Sequence, residues 1–130
     1  MGIPAAKQGD EIQAMDIHNV IVPGTSPVPT ALPKFDGTLS GDLSSNVRVQ
    51  GKAAAMLGGK GSNAQPHTPI PPGVGYQKPP ENRGTIIFGS ATVRINGKPA
   101  ARHGDTCLTC NDPADAPIGT IVASGNVRIG

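Results

Sequence analysis

Hydrophobic residues occur along this chain in short runs that fit strands better than helices. Asn19 to Val22, Thr85 to Phe88 and Thr120 to Ala123 are rich in β-branched side chains, which favour extended backbone. In Val93-Arg94-Ile95 apolar and polar residues alternate, as expected of a strand with one buried face. Asn96-Gly97 follows directly and is a strong signal for a type I′ turn. The pattern predicts an all-β fold built from hairpins.

The hairpin pattern recurs in register at three places. Each copy begins at a serine and contains an arginine between two apolar residues, and the copies cover residues 44–55, 90–101 and 124–130. A second similarity supports the first, because Gly84 to Ile87 precedes the second copy as Gly119 to Val122 precedes the third. Repeats of this kind indicate stacked or symmetric architectures.

The chain also begins with part of a repeat. Pro4 to Asp10 resembles Pro99 to Asp105, so the repeat is circularly cut and its first copy begins where its strand would end. Three hairpins that close around an axis predict pseudo-threefold symmetry in a single domain. We divide that domain into five parts: an N-terminal repeat part (1–22), a proline-rich segment (23–36), a middle repeat (37–60), a second proline-rich segment (61–83) and the C-terminal repeats (84–130).

Composition limits how such a fold is stabilised. The chain has 130 residues, of which Gly contributes 18 and Pro 14, and only 2% are aromatic. Few large side chains leave little apolar surface to bury, so intrinsic disorder is the alternative to a folded domain. The β-branched runs and the low charge favour folding. Because small domains commonly add disulfides, a metal or oligomerisation, we expect one of these here.

Charge indicates neither a polyanionic partner nor a membrane. The formal net charge is +2, and the eleven basic and nine acidic residues are dispersed along the chain. No apolar run approaches the roughly 20 residues that span a bilayer, and Met1 to Asp10 contains no apolar signal-peptide core. We therefore expect no nucleic-acid partner and no stable membrane insertion. We also expect synthesis in the cytoplasm, with any export by a route that needs no signal peptide.

The histidines and cysteines become informative once they are counted from the repeated turn positions, which are Asp10, Gly59 and Asp105. His18 lies eight residues after the first of these and His67 eight residues after the second. The third repeat offers Cys110 five residues after its turn position and Cys107 two residues after it. Equivalent positions converge on a threefold axis, so one ligand from each repeat would meet there. His103 or the remaining cysteine could supply a fourth.

Imidazole and thiolate ligands favour a tetrahedral, structural Zn²⁺ site, whose binding free energy would stabilise the fold. Other interpretations stay open. A lone histidine is often a surface residue, and Cys107 and Cys110 have the spacing of a redox pair or disulfide, although a thioredoxin-like site needs a βαβ context. A zinc-dependent hydrolase would need an open metal position and a general base, for which Asp105 and Asp112 are the nearest carboxylates.

The motif Asn96-Gly97-Lys98-Pro99-Ala100-Ala101-Arg102, followed by Gly104-Asp105, resembles that of the PAAR-repeat family. Pro4 to Asp10 is a close variant, and in the middle copy Met56 and Gly59 stand where Arg and Asp are expected. The resemblance covers nearly the whole chain and implies a short cone of three β-hairpins. It also implies a tip closed by zinc through three histidines and a cysteine.

Three of those ligands match by repeat position, namely His18, His67 and Cys110. His103 matches only by count, and Cys107 or solvent is its alternative. Iron is the alternative to zinc. The resemblance further implies a tip that caps the trimeric β-helical, valine-glycine-repeat spike of a contractile machine, such as a type VI secretion system or a phage-like tail. One copy would sit on each trimer and reach the cell exterior or the target cell. The alternative functions are an effector-carrying adaptor and, less favoured, a small zinc-dependent hydrolase.

Overall fold

The computed structural model describes residues 2–63, 66–69 and 72–129 and forms only strands, turns and loops over these ranges. Four residues of the second proline-rich segment, and Gly130 of the third repeat copy, lie outside them. No helix in the described ranges has the length and apolar character needed to cross a membrane. The strands are β1 (Ile3–Pro4), β2 (Glu11–Ile21), β3 (Val28–Gly41), β4 (Arg48–Val49), β5 (Lys52–Ala53), β6 (Lys60–Asn63), β7 (Gly75–Tyr76), β8 (Arg83–Ile86), β9 (Arg94–Ile95), β10 (Lys98–Pro99), β11 (Thr106–Thr109), β12 (Ala116–Val122) and β13 (Arg128–Ile129).

Six antiparallel strands close into a barrel. Their order is β12-β11-β8-β6-β3-β2, and β12 pairs back onto β2 through Ile121 opposite Ile12. β7 adds to the outer part of β2. The barrel consists of three strand pairs, β2 with β3, β6 with β8 and β11 with β12, and each first strand begins one residue after a repeated turn position. The predicted all-β fold is confirmed.

Three short hairpins form a second layer. β4 pairs with β5, β9 with β10, and β1 with β13, so the third hairpin joins the two ends of the chain. Asn96 and Gly97 have φ of 52° and 79°, and Gln50 and Gly51 have φ of 51° and 80°. Positive φ at both central residues defines the type I′ turn predicted from the Asn-Gly pair.

A ring of backbone hydrogen bonds joins the three repeats. The N–H of Ala6 donates to the carbonyl of Ala101, that of Ala101 to Ala55, and that of Ala55 to Ala6, each at 3.0 Å. The three alanines occupy equivalent repeat positions, so the ring confirms the pseudo-threefold arrangement. It also satisfies three buried donors and three buried acceptors at the axis, where an unpaired backbone group would be costly.

Two apolar layers fill the interior on either side of this ring. One combines Ala5, Ala54 and Ala100 with Val49, Ile95 and Ile129 from the hairpins. The other fills the barrel, and it includes the ring alanines, the equivalent residues Leu39, Ile86 and Ile121, and Cys110. The hairpin layer and the end of the barrel that carries Cys110 are therefore at opposite ends of the molecule.

Equivalent glycines make room for the barrel core. Each of the three equivalent core residues follows a glycine by two positions, and these glycines are Gly37, Gly84 and Gly119. The Gly-Thr pair noted in two copies of the repeat therefore occurs in all three. A Cβ at Gly37 would lie 2.7 Å from Phe35, and one at Gly119 would lie 2.7 Å from the Thr109 methyl group. The barrel therefore has no space for a side chain at these positions.

Part of the first proline-rich segment forms the start of β3, where this strand pairs with β2 alone. Val28–Gly41 is one continuous strand in which Pro29 lies opposite Asn19 of β2. β6 pairs with this strand only from Gly37 onward, so the proline lies where the strand has a free edge. This placement follows from proline's missing N–H, which cannot donate to a neighbouring strand.

We expect Gly119→Ala to lower the free energy of unfolding by about 1–3 kcal/mol, because the added methyl group would overlap Thr109 and crowd Ile12. The matched control is Gly75→Ala on β7, where the nearest atom to the added Cβ is 3.9 Å away. Urea unfolding measures both variants. Equal midpoints for the two would contradict the tight packing described here.

Candidate metal centre

A cluster of four potential ligands lies at the end of the barrel opposite the hairpin layer. It contains Asp16, His18, His67 and Cys110, all of them buried, and one ligand atom of each lies within 4.8 Å of the others. Asp16 and His18 lie on β2, whereas His67 follows β6 and Cys110 directly follows β11. The rise of a strand places His18 about 23 Å from the start of β2. The three repeats therefore each contribute to one site.

Asp16 is the hub of this cluster. Its Oδ2 lies 2.9 Å from His67 Nε2 and 3.5 Å from Cys110 Sγ. Its Oδ1 accepts hydrogen bonds from the Thr109 hydroxyl and, at 3.3 Å, from the Asn111 side-chain amide. A fully buried carboxylate is costly unless it is paired. These contacts satisfy the buried side chain and direct Oδ2 at the His67 ring and the Cys110 thiol.

The segment after β11 holds Cys110 against β2, because side chains of this segment accept hydrogen bonds from backbone N–H groups of β2 as a neighbouring strand would. Asn111 Oδ1 accepts from the N–H of Ile17 at 2.6 Å, and Asp112 Oδ2 accepts from the N–H of Asn19 at 2.7 Å. The N–H of Asp112 donates to the carbonyl of Ile17 at 2.8 Å. The backbone of β2 is therefore satisfied around the site, and the position of Cys110 follows from these bonds.

The unpartnered ring nitrogens of the buried His18 are the feature that best fits a bound metal. The side chain is 2% exposed, yet neither Nδ1 nor Nε2 has a hydrogen-bond partner. Burial lowers the pKa of His18, against an opposing effect of Asp112, whose Oδ2 lies 3.6 Å from Nδ1. A neutral imidazole with a free nitrogen lone pair is the form that binds a metal. His67 lies beside it, with ring centroids 5.1 Å apart.

The two cysteines have different environments. Burial raises the pKa of Cys110 to about 11 and that of Cys107 to about 12. Redox-active thiols have lowered pKa values, so these environments do not support a redox pair, and both thiols are free. Cys107 packs in the barrel core at the repeat position that Ile12 occupies in the first repeat. The structure does not bring this alternative ligand into the four-residue cluster.

The structure places His103, the fourth predicted ligand, outside the cluster. Its ring is exposed, and its Nδ1 accepts a hydrogen bond from the N–H of Ala123 at 3.1 Å. It belongs to the turn before Asp105, whereas Cys110 lies beyond the other end of β11. Asp16 takes the fourth place. A sequence signal existed, because residues two apart on a strand share a face and Asp16 precedes His18 by two.

The repeat motif itself builds the turns and does not contribute to the cluster. Arg102 and Asp105 form an ion pair at 2.9 Å, and the Arg102 N–H donates to the same carboxylate at 2.8 Å. Lys7 and Asp10 repeat the arrangement in the first copy, at 3.1 Å and 3.0 Å. Pro99, Ala100, Ala101 and Gly104 complete the motif, and the positive φ of Gly104, 86°, is the conformation that its turn requires.

The four side chains can hold a divalent metal ion. Two imidazoles, one thiolate and one carboxylate offer a tetrahedral set in which two negative ligands balance the charge of the ion. A site with four protein ligands is typical of a structural metal, since a catalytic site keeps one position for water. Bound there, the ion would connect β2 with the segments after β6 and β11.

We expect the wild-type protein to carry about one metal ion per chain and His67→Ala to lose it, because this change removes one of the four candidate ligands. His103→Ala is the matched control and should keep about one metal ion per chain. Metal analysis of the purified proteins, together with thermal unfolding, measures the difference. Loss of metal from the His103 variant with retention in the His67 variant would reverse this assignment.

We expect metal affinity to rise about tenfold per pH unit between pH 7 and 8, because the ion must displace the proton of Cys110. The raised pKa of this thiol keeps it protonated over that range, whereas the lowered pKa of His18 leaves its ring neutral. Competition with a chromophoric chelator at several pH values measures the slope. In Cys110→Ala the slope should be smaller, and an unchanged slope would exclude the thiol as the proton source.

Comparison with known families agrees with this geometry. A family profile described as PAAR motif matches residues 33–112 and 76–130, so the matched regions together cover most of the chain. The search of curated proteins found no match to this chain. The matched regions contain both type I′ turns and two of the three ring alanines. The family is structural and not catalytic, and this chain belongs to it.

Proposed function

We propose that this protein is the structural tip of a contractile secretion or injection apparatus, where it caps a trimeric β-helical spike. The observation that carries the proposal is the ring of hydrogen bonds among Ala6, Ala55 and Ala101. It gives a single chain three equivalent faces around one axis. Such a chain can contact all three subunits of a trimer equally, so one copy fits one trimer without a symmetry mismatch.

The hairpin layer supplies the means of attachment. Each of its three hairpins is a separate two-stranded sheet, so each has strand edges outside the barrel. Backbone groups at an unpaired edge readily pair with a strand from another chain. Three equivalent edges at one end of the molecule match the three strand ends that a β-helical trimer offers. The protein would then leave the producing cell with the spike and reach the exterior or the target cell.

The metal would stabilise the opposite end, and we propose zinc as its identity, with iron as the alternative. Zinc suits mixed nitrogen, sulfur and oxygen ligands in a tetrahedron. The barrel core has few large side chains to stabilise it, since Phe35 is its one aromatic residue among those described. Binding would contribute directly to folding and would stiffen the end that meets the target envelope.

The carboxylates near the motif have structural partners. Asp105 is paired with Arg102, and Asp112 accepts the N–H of Asn19. A general base needs a free lone pair within reach of a metal-bound water. The structural contacts of these carboxylates and the four-ligand cluster therefore favour a structural role over a zinc-dependent hydrolase.

We expect purified protein to bind the trimeric spike protein of the same cell at one chain per trimer, because the threefold axis allows one copy only. Native mass spectrometry or light scattering after size exclusion measures the ratio. The separate spike trimer and the separate tip protein are the controls. Three chains per trimer, or no complex at all, would contradict the proposal.

A further inference from the structure

The hairpin layer carries a strong charge asymmetry that the sequence conceals. Segments 2–6, 44–55, 90–101 and 124–129 contain no aspartate or glutamate. They contain five basic residues, all exposed: Arg48, Lys52, Arg94, Lys98 and Arg128. These residues are far apart along the chain, and the pseudo-threefold fold brings them to one end. Asp42 lies near Lys98, so the excess of positive charge is clearest at the three arginines, and such an excess attracts groups of opposite charge.

The three arginines are equivalent. Each follows an exposed valine and precedes a buried residue of the hairpin core, and the valines are Val47 at 36%, Val93 at 37% and Val127 at 38% exposure. Arg94 donates to the Gly97 carbonyl at 3.2 Å, and Arg128 donates to the Gly2 carbonyl at 3.1 Å. Gly97 and Gly2 both directly precede the second strand of their hairpins. The matching bonds hold two guanidinium groups in equivalent orientations.

These arginines have no acidic partner within the described part of the chain. The ion pairs there involve other cations, namely Lys7, Lys60, Arg83 and Arg102 and the two cluster histidines. An arginine that is held in place but not neutralised can form bidentate bonds with an incoming carboxylate. The surface therefore offers three separate cationic positions, each beside an exposed valine.

We propose that this arginine ring, Arg48, Arg94 and Arg128, binds three carboxylates, one from each subunit of a threefold-symmetric protein partner. The inference rests on the proposed function, since the partner is the spike trimer, and it adds the chemistry of the contact. Backbone pairing at strand edges does not distinguish one spike from another. Three charge pairs around an axis would select a partner and fix its rotation.

Symmetry favours a trimer over other anionic partners. A bilayer and a nucleic-acid duplex present phosphates without a threefold axis, and neither would account for valines repeated at equivalent positions beside each arginine. A protein surface can supply apolar contacts and carboxylates together at three related places. Charge pairs at the rim of such a contact act mainly on association rate and salt dependence.

The test compares two doubly neutralised variants. Arg94→Gln/Arg128→Gln removes two charges from the ring, and Lys78→Gln/Arg83→Gln removes two exposed charges elsewhere. Affinity for the spike trimer is measured by surface plasmon resonance at 50 mM and 300 mM salt. We expect the ring variant to bind about tenfold more weakly at low salt, with a smaller salt effect, and the control to stay within about twofold of wild type. Metal content and unfolding midpoint confirm that both variants fold.

The outcomes separate the inference from the proposed function. Wild-type binding that the ring variant retains in full would overturn the arginine ring and leave the spike-tip function standing. No wild-type binding to the trimer would overturn the function itself. Equal loss in both variants would show a general charge effect and also contradict the ring. Binding of wild type to phosphatidylserine vesicles or duplex DNA in preference to the trimer would overturn the choice of partner.

Discussion

The ring of three backbone hydrogen bonds among the equivalent alanines is the constraint on which the rest of the structure depends. Three chain segments can meet this closely only if their side chains are small, because a larger residue would separate the donors from the acceptors. With the ring closed, every repeat leaves the axis in the same way. Each repeat forms a hairpin on one side of the ring and two barrel strands on the other. The alanines of the repeat motif are thus explained by packing at an axis.

On the barrel side, the fold is built around limited space and one unequal repeat. Glycines occupy the three equivalent positions next to the core, and Phe35 fills the interior from the first repeat alone. Departure from exact symmetry continues toward the metal centre. There β2 contributes both Asp16 and His18, while each of the other repeats contributes one ligand from the segment after its first strand. The site is therefore an asymmetric construction at the end of a symmetric scaffold.

The two ends of the molecule have opposite chemistry, and this division fits the proposed tip, which would attach at one end and resist force at the other. The hairpin end is exposed, cationic and threefold. The opposite end contains a buried polar cluster in which the unpaired nitrogens of His18 fit a metal ion. A bound metal would contribute rigidity where the chain has few large apolar side chains, and separated charges would contribute specificity toward the proposed partner.

The amino-acid sequence by itself determined what depends on neighbours along the chain. The Asn-Gly pair specifies its turn through local φ preferences, strand alternation marks the hairpins, and repetition predicts the threefold arrangement. Repeat spacing singled out His18, His67 and Cys110, which the structure brings together. Only the tertiary structure shows which side chain completes the cluster. Asp16 shares a face of β2 with His18, but it meets Cys110 only because the segment after β11 docks onto β2. The cationic end likewise emerges only on folding, since charges dispersed in sequence meet when three repeats close around one axis.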